Sequence, residues 1–191
     1  MAYAIYITEA LVCGSRQNNT SDMSYLLFTR EAGMIWASAK SAREERSKHR
    51  YALQDFSLAR MSLVRGKGGW RVTGAESLEN LYFRSPSREA RTLLRNTVRL
   101  LRRFLHGESS APALYDDVVG TLQALSDNAK EDIEFVLALR ILHALGYIAP
   151  KDVYRVLIET ANAHEACAAL SPESAAHGRK AIERALTASQ L

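Results

Sequence analysis

The chain has 191 residues, 47% of them hydrophobic and 24% charged, with a net charge of +4, enough for one large domain or two small ones that bury a core without metal or disulfide help. Its two cysteines, Cys13 and Cys167, lie far apart in no metal-like spacing, which points to a reducing, cytoplasmic setting. The first residues carry no basic run and place Glu9 within the early apolar stretch, which excludes a secretory signal, and no apolar segment is long enough to span a membrane.

In chain order the first 80 residues read as strands. Tyr3 to Gly14 is rich in β-branched and aromatic residues, and a polar turn-forming loop runs from Gly14 to Asp22. Ser24 to Thr29 and Met34 to Lys40 form a hairpin around Arg30-Glu31-Ala32-Gly33. In its second strand a period of two sets Ile35, Ala37 and Ala39 on one face and Met34, Trp36, Ser38 and Lys40 on the other. A basic loop, Ser41 to Arg50, follows. Ala52 to Arg65 is extended with an apolar set that slips from Phe56 and Leu58 to Met61 and Leu63, which predicts a bulge, and Gly66-Lys67-Gly68-Gly69 turns the chain into a last strand, Trp70 to Ser77. Five strands with this spacing fit a small Greek-key barrel of the oligonucleotide-binding (OB) type.

Beyond residue 80 the period becomes helical. Arg84, Arg88, Arg91, Arg95, Arg99 and Arg102 recur every three or four residues, opposite an apolar face that includes Leu93, Leu94, Leu101 and Phe104. Further helices are expected from Pro112 to about Ser126, from an Asn128 cap to Leu145, from Pro150 to about Leu170 and from Ser171-Pro172 to about Ala188. The chain is therefore predicted to be α+β: an amino-terminal OB-fold barrel over residues 1–80 and an all-helical domain over 81–191.

Two clusters suggest a nucleic-acid partner. Trp36 and Tyr51 offer rings for bases to stack on, beside Arg16, Lys40, Arg43, Arg46, Lys48 and Arg50, because bases seek aromatic faces while phosphates seek cations. The alternative is that Trp36 packs in the core and the loop is merely solvated. From Arg84 to Arg103 seven arginines face a single acid, Glu89, and arginine is the side chain suited to forked contacts with phosphate or carboxylate. Their alternative is pairing with acids such as Asp116, Asp117 and Glu134. The histidines and Cys167 form no metal set or catalytic triad, and no glycine loop cradles a phosphate, so neither an enzyme nor a cofactor is expected.

Several ordered segments carry a family resemblance. Asp22 to Gly33, Ala39-Lys40-Ser41-Ala42-Arg43 and Ala52-Leu53-Gln54-Asp55-Phe56 resemble the amino-terminal domain of the RecO family of bacterial recombination mediators, and Phe104 to Tyr115 and Phe135 to Tyr147 are similar to its helical domain. The resemblance covers roughly residues 1 to 150. It implies a DNA repair and recombination protein that binds single- and double-stranded DNA without sequence preference, promotes annealing and recombinase loading, and partners single-strand-binding protein and RecR in the cytoplasm at the nucleoid. Many relatives carry a four-cysteine zinc module after the Leu-Gly-Tyr segment, whereas from Pro150 onward this chain has only Cys167. Where relatives place a basic residue for the tail of single-strand-binding protein, this chain reads Glu131-Asp132-Ile133-Glu134-Phe135, with the next arginine at Arg140. The competing readings are a protein adaptor that uses the barrel and arginine helix, and an RNA-binding OB protein, which a preference for the 2′-hydroxyl would reveal.

Overall fold

A computed structural model describes residues 4–18, 22–40, 42, 50–125 and 131–189. Five strands, β1 (Ile5–Gln17), β2 (Met23–Thr29), β3 (Gly33–Ala39), β4 (Ser57–Gly66) and β5 (Gly69–Asn80), close a barrel in the order β1-β2-β3-β5-β4. Neighbours are antiparallel except β3 and β5, which run parallel through Ala37↔Trp70 and Ser38↔Arg71. This is the OB closure that the spacing predicts. β1 is long because it pairs on both sides: Ile5 to Leu11 with β4, and Ala10 to Gln17 with β2, where the register skips Cys13 and bends the strand. It also runs three residues further than expected, to Gln17, which shortens the polar loop.

The alternation predicted for β3 is observed. Ile35, Ala37 and Ala39 lie in the interior with Tyr25, Leu27, Met61, Leu63 and Trp70, whereas Trp36 and Lys40 are exposed. Burial, and then the Asp55 carboxylate, raises the Tyr25 phenol above its ordinary pKa, so a neutral ring fills that part of the barrel. The bulge expected in the fourth strand is on its partner instead. β4 pairs at every residue from Ser57 to Gly66, while the register of β5 skips Thr73 and Leu78. The slip in the apolar pattern arises because Phe56 precedes the strand, in a turn. It sits at φ 67°, held by its N–H to Val12 O (2.8 Å) and by Leu81 N–H to its own carbonyl (3.0 Å).

The chain packs as two compact units, Met1–Arg84 with His106–Tyr115 and Ser85–Leu105 with Asp116–Leu191. In the first, the 106–115 segment covers the barrel's outer side. Tyr115 packs on Phe28 with ring centroids 5.1 Å apart, and Met34 N–H donates to Gly107 O at 3.2 Å. Gly33, at φ 70°, turns the hairpin so close to this segment that a Cβ there would lie 2.4 Å from Ser109 O, so no other residue fits the corner.

The helices are α1 (Leu81–Arg84), α2 (Arg88–Phe104), α3 (Pro112–Gln123), α4 (Glu131–Ala144), α5 (Asp152–Glu159), α6 (Ala163–Ala168) and α7 (Pro172–Ala188). Two expectations change. The helix predicted to start at Arg84 is broken at Ser85-Pro86-Ser87, because Ser87 caps α2 by accepting Ala90 N–H at 3.1 Å. The helix predicted from Pro150 is two, since Asn162 accepts Glu165 N–H at 2.9 Å and starts α6 anew. The expected cap Asn128 lies outside the described residues. α7 begins at Ser171-Pro172 as predicted, with a capping box between Ser171 and Ser174.

In the second unit α4 packs against α2, α5, α6 and α7. Arg140 on α4 is nearly buried. Its fork meets Asp117 at 2.7 and 3.1 Å, and its remaining donors reach the carbonyls of Leu157 (3.2 Å), Ile158 (2.9 Å) and Thr160 (2.8 Å).

Candidate nucleic-acid interface

The outer surface of β1, β2 and β3 changes character along its length. One end is apolar and covered, with Leu11, Phe28 and Met34 buried. At the other end Trp36 is 40% exposed, and the Arg16 guanidinium lies 4.3 Å from its ring centroid. Ser38 follows Trp36 on the same face by strand alternation, Lys40 is exposed in the turn just past the end of β3, which stops one residue earlier than expected, and the parallel pairing of β3 with β5 brings Arg71 beside Ser38. Arg16, Lys40 and Arg71 are exposed, and among the described residues no carboxylate pairs with any of them. Arg60 and Arg65, in contrast, are answered by acids: Arg60 by Glu9 and Glu76, Arg65 by Glu108 at 2.8 Å. The barrel thus has an aromatic and cationic surface whose cations, among the described residues, are not paired with carboxylates.

Of the residues singled out in the sequence, the fold brings Arg16 onto Trp36 and leaves Lys40 exposed in the turn that follows β3. Arg50 and Tyr51 are exposed, Tyr51 at 75%, in the turns that lead to β4. Arg43, Arg46 and Lys48 lie outside the described residues. Trp70 is a core residue of the barrel. Arg71 joins the site only through barrel closure. Its one signal in the sequence was the alternation that turns Trp70 inward.

On α2, Arg88, Arg95, Arg99 and Arg102 form an exposed edge without an acid partner among the described residues. Arg95 and Arg99 donate only along their own helix, to Thr92 (3.2 Å) and Asn96 (3.4 Å). Arg91 is half-buried. Arg84 departs from the expected edge, because the break before α2 leaves it on α1, paired with Glu79 at 2.9 Å. Two of the acids considered as partners are engaged elsewhere: Glu134 accepts from Asn96 at 2.8 Å, and Asp117 holds Arg140. An edge of four unanswered guanidinium groups on a rigid helix is a surface for phosphates or carboxylates.

The family model "Recombination protein O N terminal" matches residues 1–81, the whole barrel. A DNA repair protein RecO from Dehalococcoides mccartyi is 27% identical over 172 residues, which are 87% of this chain and 66% of that protein. One from Desulfitobacterium hafniense is 30% identical over 146 residues, 75% of this chain and 52% of that protein. Residues 1–81 carry the amino-terminal domain of the RecO family. A shorter match, 36% identical over 76 residues, links 40% of the chain to 28% of the RecO of Heliobacterium modesticaldum. The chain spans two thirds or less of the length of these RecO relatives.

The helical unit adds a second feature beside the RecO-type barrel. A groove of about 360 Å³ between α2, α4 and α7 is floored by Leu100, Ala138, Ile141, Ile182 and Leu186 and edged by Arg99 and Arg103. It continues to Phe135 and Arg179. Arg179 lies 5.0 Å over the Phe135 ring, and Gly178 permits the approach, since a Cβ there would meet the ring at 2.7 Å. The cation beside Phe135 thus comes from α7, a pairing no local pattern could show. Arg140, the next arginine in sequence, is committed to Asp117 and α5. Arg103 donates to Ser189 Oγ at 2.9 Å and to Leu186 O, closing the end of α7. Among the described residues no cluster of potential metal ligands occurs, and no helix is long and apolar enough to cross a membrane.

Proposed function

We propose that this chain binds single- and double-stranded DNA without sequence preference, and thereby promotes strand annealing and recombinase loading in DNA repair. The observation that carries the reading is the exposed Trp36 among Arg16, Lys40 and Arg71 on the outer face of an OB barrel that matches recombination protein O. Bases stack on the ring while the cations hold the backbone, the two elements a sequence-blind strand site requires. The basic loop with Arg43, Arg46, Lys48 and Arg50, together with Tyr51, extends this site. Arg88, Arg91, Arg95, Arg99 and Arg102 of α2, with Arg84 on α1, screen the phosphates of a further strand. Neutralising two chains lowers the repulsion that opposes their pairing. Nothing in this scheme makes or breaks a covalent bond, so the protein acts without catalysis or cofactor.

Annealing of two complementary labelled oligonucleotides tests it. The chain is expected to accelerate annealing over the spontaneous rate at low salt, with the gain fading as salt rises. Acceleration that is absent while both strands are bound would refute the annealing role.

Single-strand-binding protein and RecR are the proposed partners, as the resemblance to RecO proteins implies. The α2-α4-α7 groove has an apolar floor and a mixed rim, Arg99, Arg103 and Arg179 with Glu134 and Glu183, and the tail of the former would lie on the floor with its carboxylates toward the arginines. A peptide of that tail is expected to bind with an affinity that drops about tenfold or more in Arg179→Ala, the loss of one charge-assisted contact. Calorimetry on the full chain reads it, and equal affinity for both forms would remove the groove as the site.

A further inference from the structure

We propose that Arg16 is a movable cover on Trp36 that sets the balance between single-stranded and duplex DNA. The inference rests on the DNA-binding reading above and deepens it. Arg16 stands on β1 opposite Ser24, and Trp36 on β3 opposite Leu26, so two strand spacings, about 10 Å, separate their strands. Yet the guanidinium carbon lies 4.3 Å from the ring centroid. Both side chains therefore lean across β2 and meet above it. Ser24 and Leu26 point outward by strand alternation but are only 6% and 8% exposed, as residues beneath such a pair must be.

The contact occupies π surface that a nucleobase would use. A base stacks on Trp36 at that surface only when the guanidinium leaves. No acid among the described residues ties Arg16 down, and stacking of a base on an aromatic ring outweighs an exposed cation–π contact, so the exchange is downhill. The released guanidinium then meets a backbone phosphate of the same strand. A duplex behaves differently, since its bases are paired inside and it presents only phosphates. Arg16 then stays flat on the ring and donates from its edge, where its N–H groups remain open. Trp36 thus responds to single strands, and Arg16 serves both forms but carries a larger share of duplex binding.

The test uses the full chain, an unstructured oligothymidine and a duplex of equal length, read by tryptophan emission and by affinity. Only two tryptophans are present, and Trp70 is buried in the barrel, so changes on binding report Trp36. Oligothymidine is expected to quench the emission more strongly than the duplex does. Trp36→Ala should lower single-strand affinity about tenfold and reduce the single-strand preference, whereas Trp36→Phe, which keeps a ring, restores most of the loss. Arg16→Ala should move the preference the other way, raising the ratio of single-strand to duplex affinity about threefold, because the single strand no longer has to displace the cover. Equal losses for both DNA forms in Arg16→Ala would make Arg16 an ordinary phosphate contact and overturn the cover while leaving the DNA-binding reading intact. Equal quenching by the two forms would overturn it as well. Failure of the unaltered chain to bind either DNA would sink both.

Discussion

Arg140→Ala is expected to destabilise the helical unit by about 3–5 kcal/mol, the characteristic loss when one partner of a buried ion pair is removed. The two side chains are 10% and 14% exposed, so deleting the guanidinium strands the Asp117 carboxylate in a site that water barely reaches. It also leaves the carbonyls of Leu157, Ile158 and Thr160, at the end of α5, without their shared donor. Arg140→Lys should recover only part of the loss, because an ammonium has three donors where these acceptors require a planar fork. Urea unfolding followed by helical circular dichroism reads both variants. A loss below about 1 kcal/mol for the alanine variant would mean that Asp117 finds water or another donor, contrary to the packing described.

Simultaneous replacement of Arg88, Arg95, Arg99 and Arg102 by alanine is expected to weaken duplex binding by on the order of 10²–10³-fold near physiological salt and to flatten its salt dependence, since each phosphate contact contributes about 0.9 to the slope. The four lie on one exposed helix edge, and no carboxylate among the described residues neutralises them. Stability should move the other way. Arg95–Arg99 and Arg99–Arg102 are like-charge neighbours one turn apart, each such pair costing about 0.2–0.5 kcal/mol, so the variant folds at least as stably as the parent. A helix edge that opposes its own fold in this way makes sense where an anion is to meet it. Filter binding at several salt concentrations, with thermal unfolding as control, gives both numbers. Unchanged duplex affinity would confine DNA contact to the barrel.

Much of this arrangement was legible in the residues. Alternation in β3 placed Ile35, Ala37 and Ala39 inside and Trp36 and Lys40 outside, because one face of a barrel strand is dry and the other wet. The barrel topology followed from strand lengths and turn chemistry, and α7 from Ser171-Pro172. What escaped has common physical causes. Pro86 lay within an otherwise regular arginine period, and the period hid the break that Ser87 completes by capping. The apolar slip near Phe56 read as a bulge because a residue at positive φ outside a strand imitates a change of face. Arg71 and Arg179 reach their sites through pairings remote in sequence, β5 on β3 and α7 on α4, which no window along the chain contains. Arg140, the next arginine after the acidic start of α4, is an internal brace, a role that its burial against Asp117 and α5 reveals and the sequence does not.

The cationic face of the barrel around Trp36 is expected to hold a single strand by its phosphates. Affinity for a labelled unstructured oligothymidine, measured across a salt series for the unaltered chain and for a Lys40→Ala, Arg71→Ala double variant, tests it most directly. Affinity is predicted to fall by about 0.7 decades per phosphate contact per decade of salt, with the slope reduced by about 1.4 in the double variant. Binding that is independent of salt, or the same slope in both proteins, would contradict it.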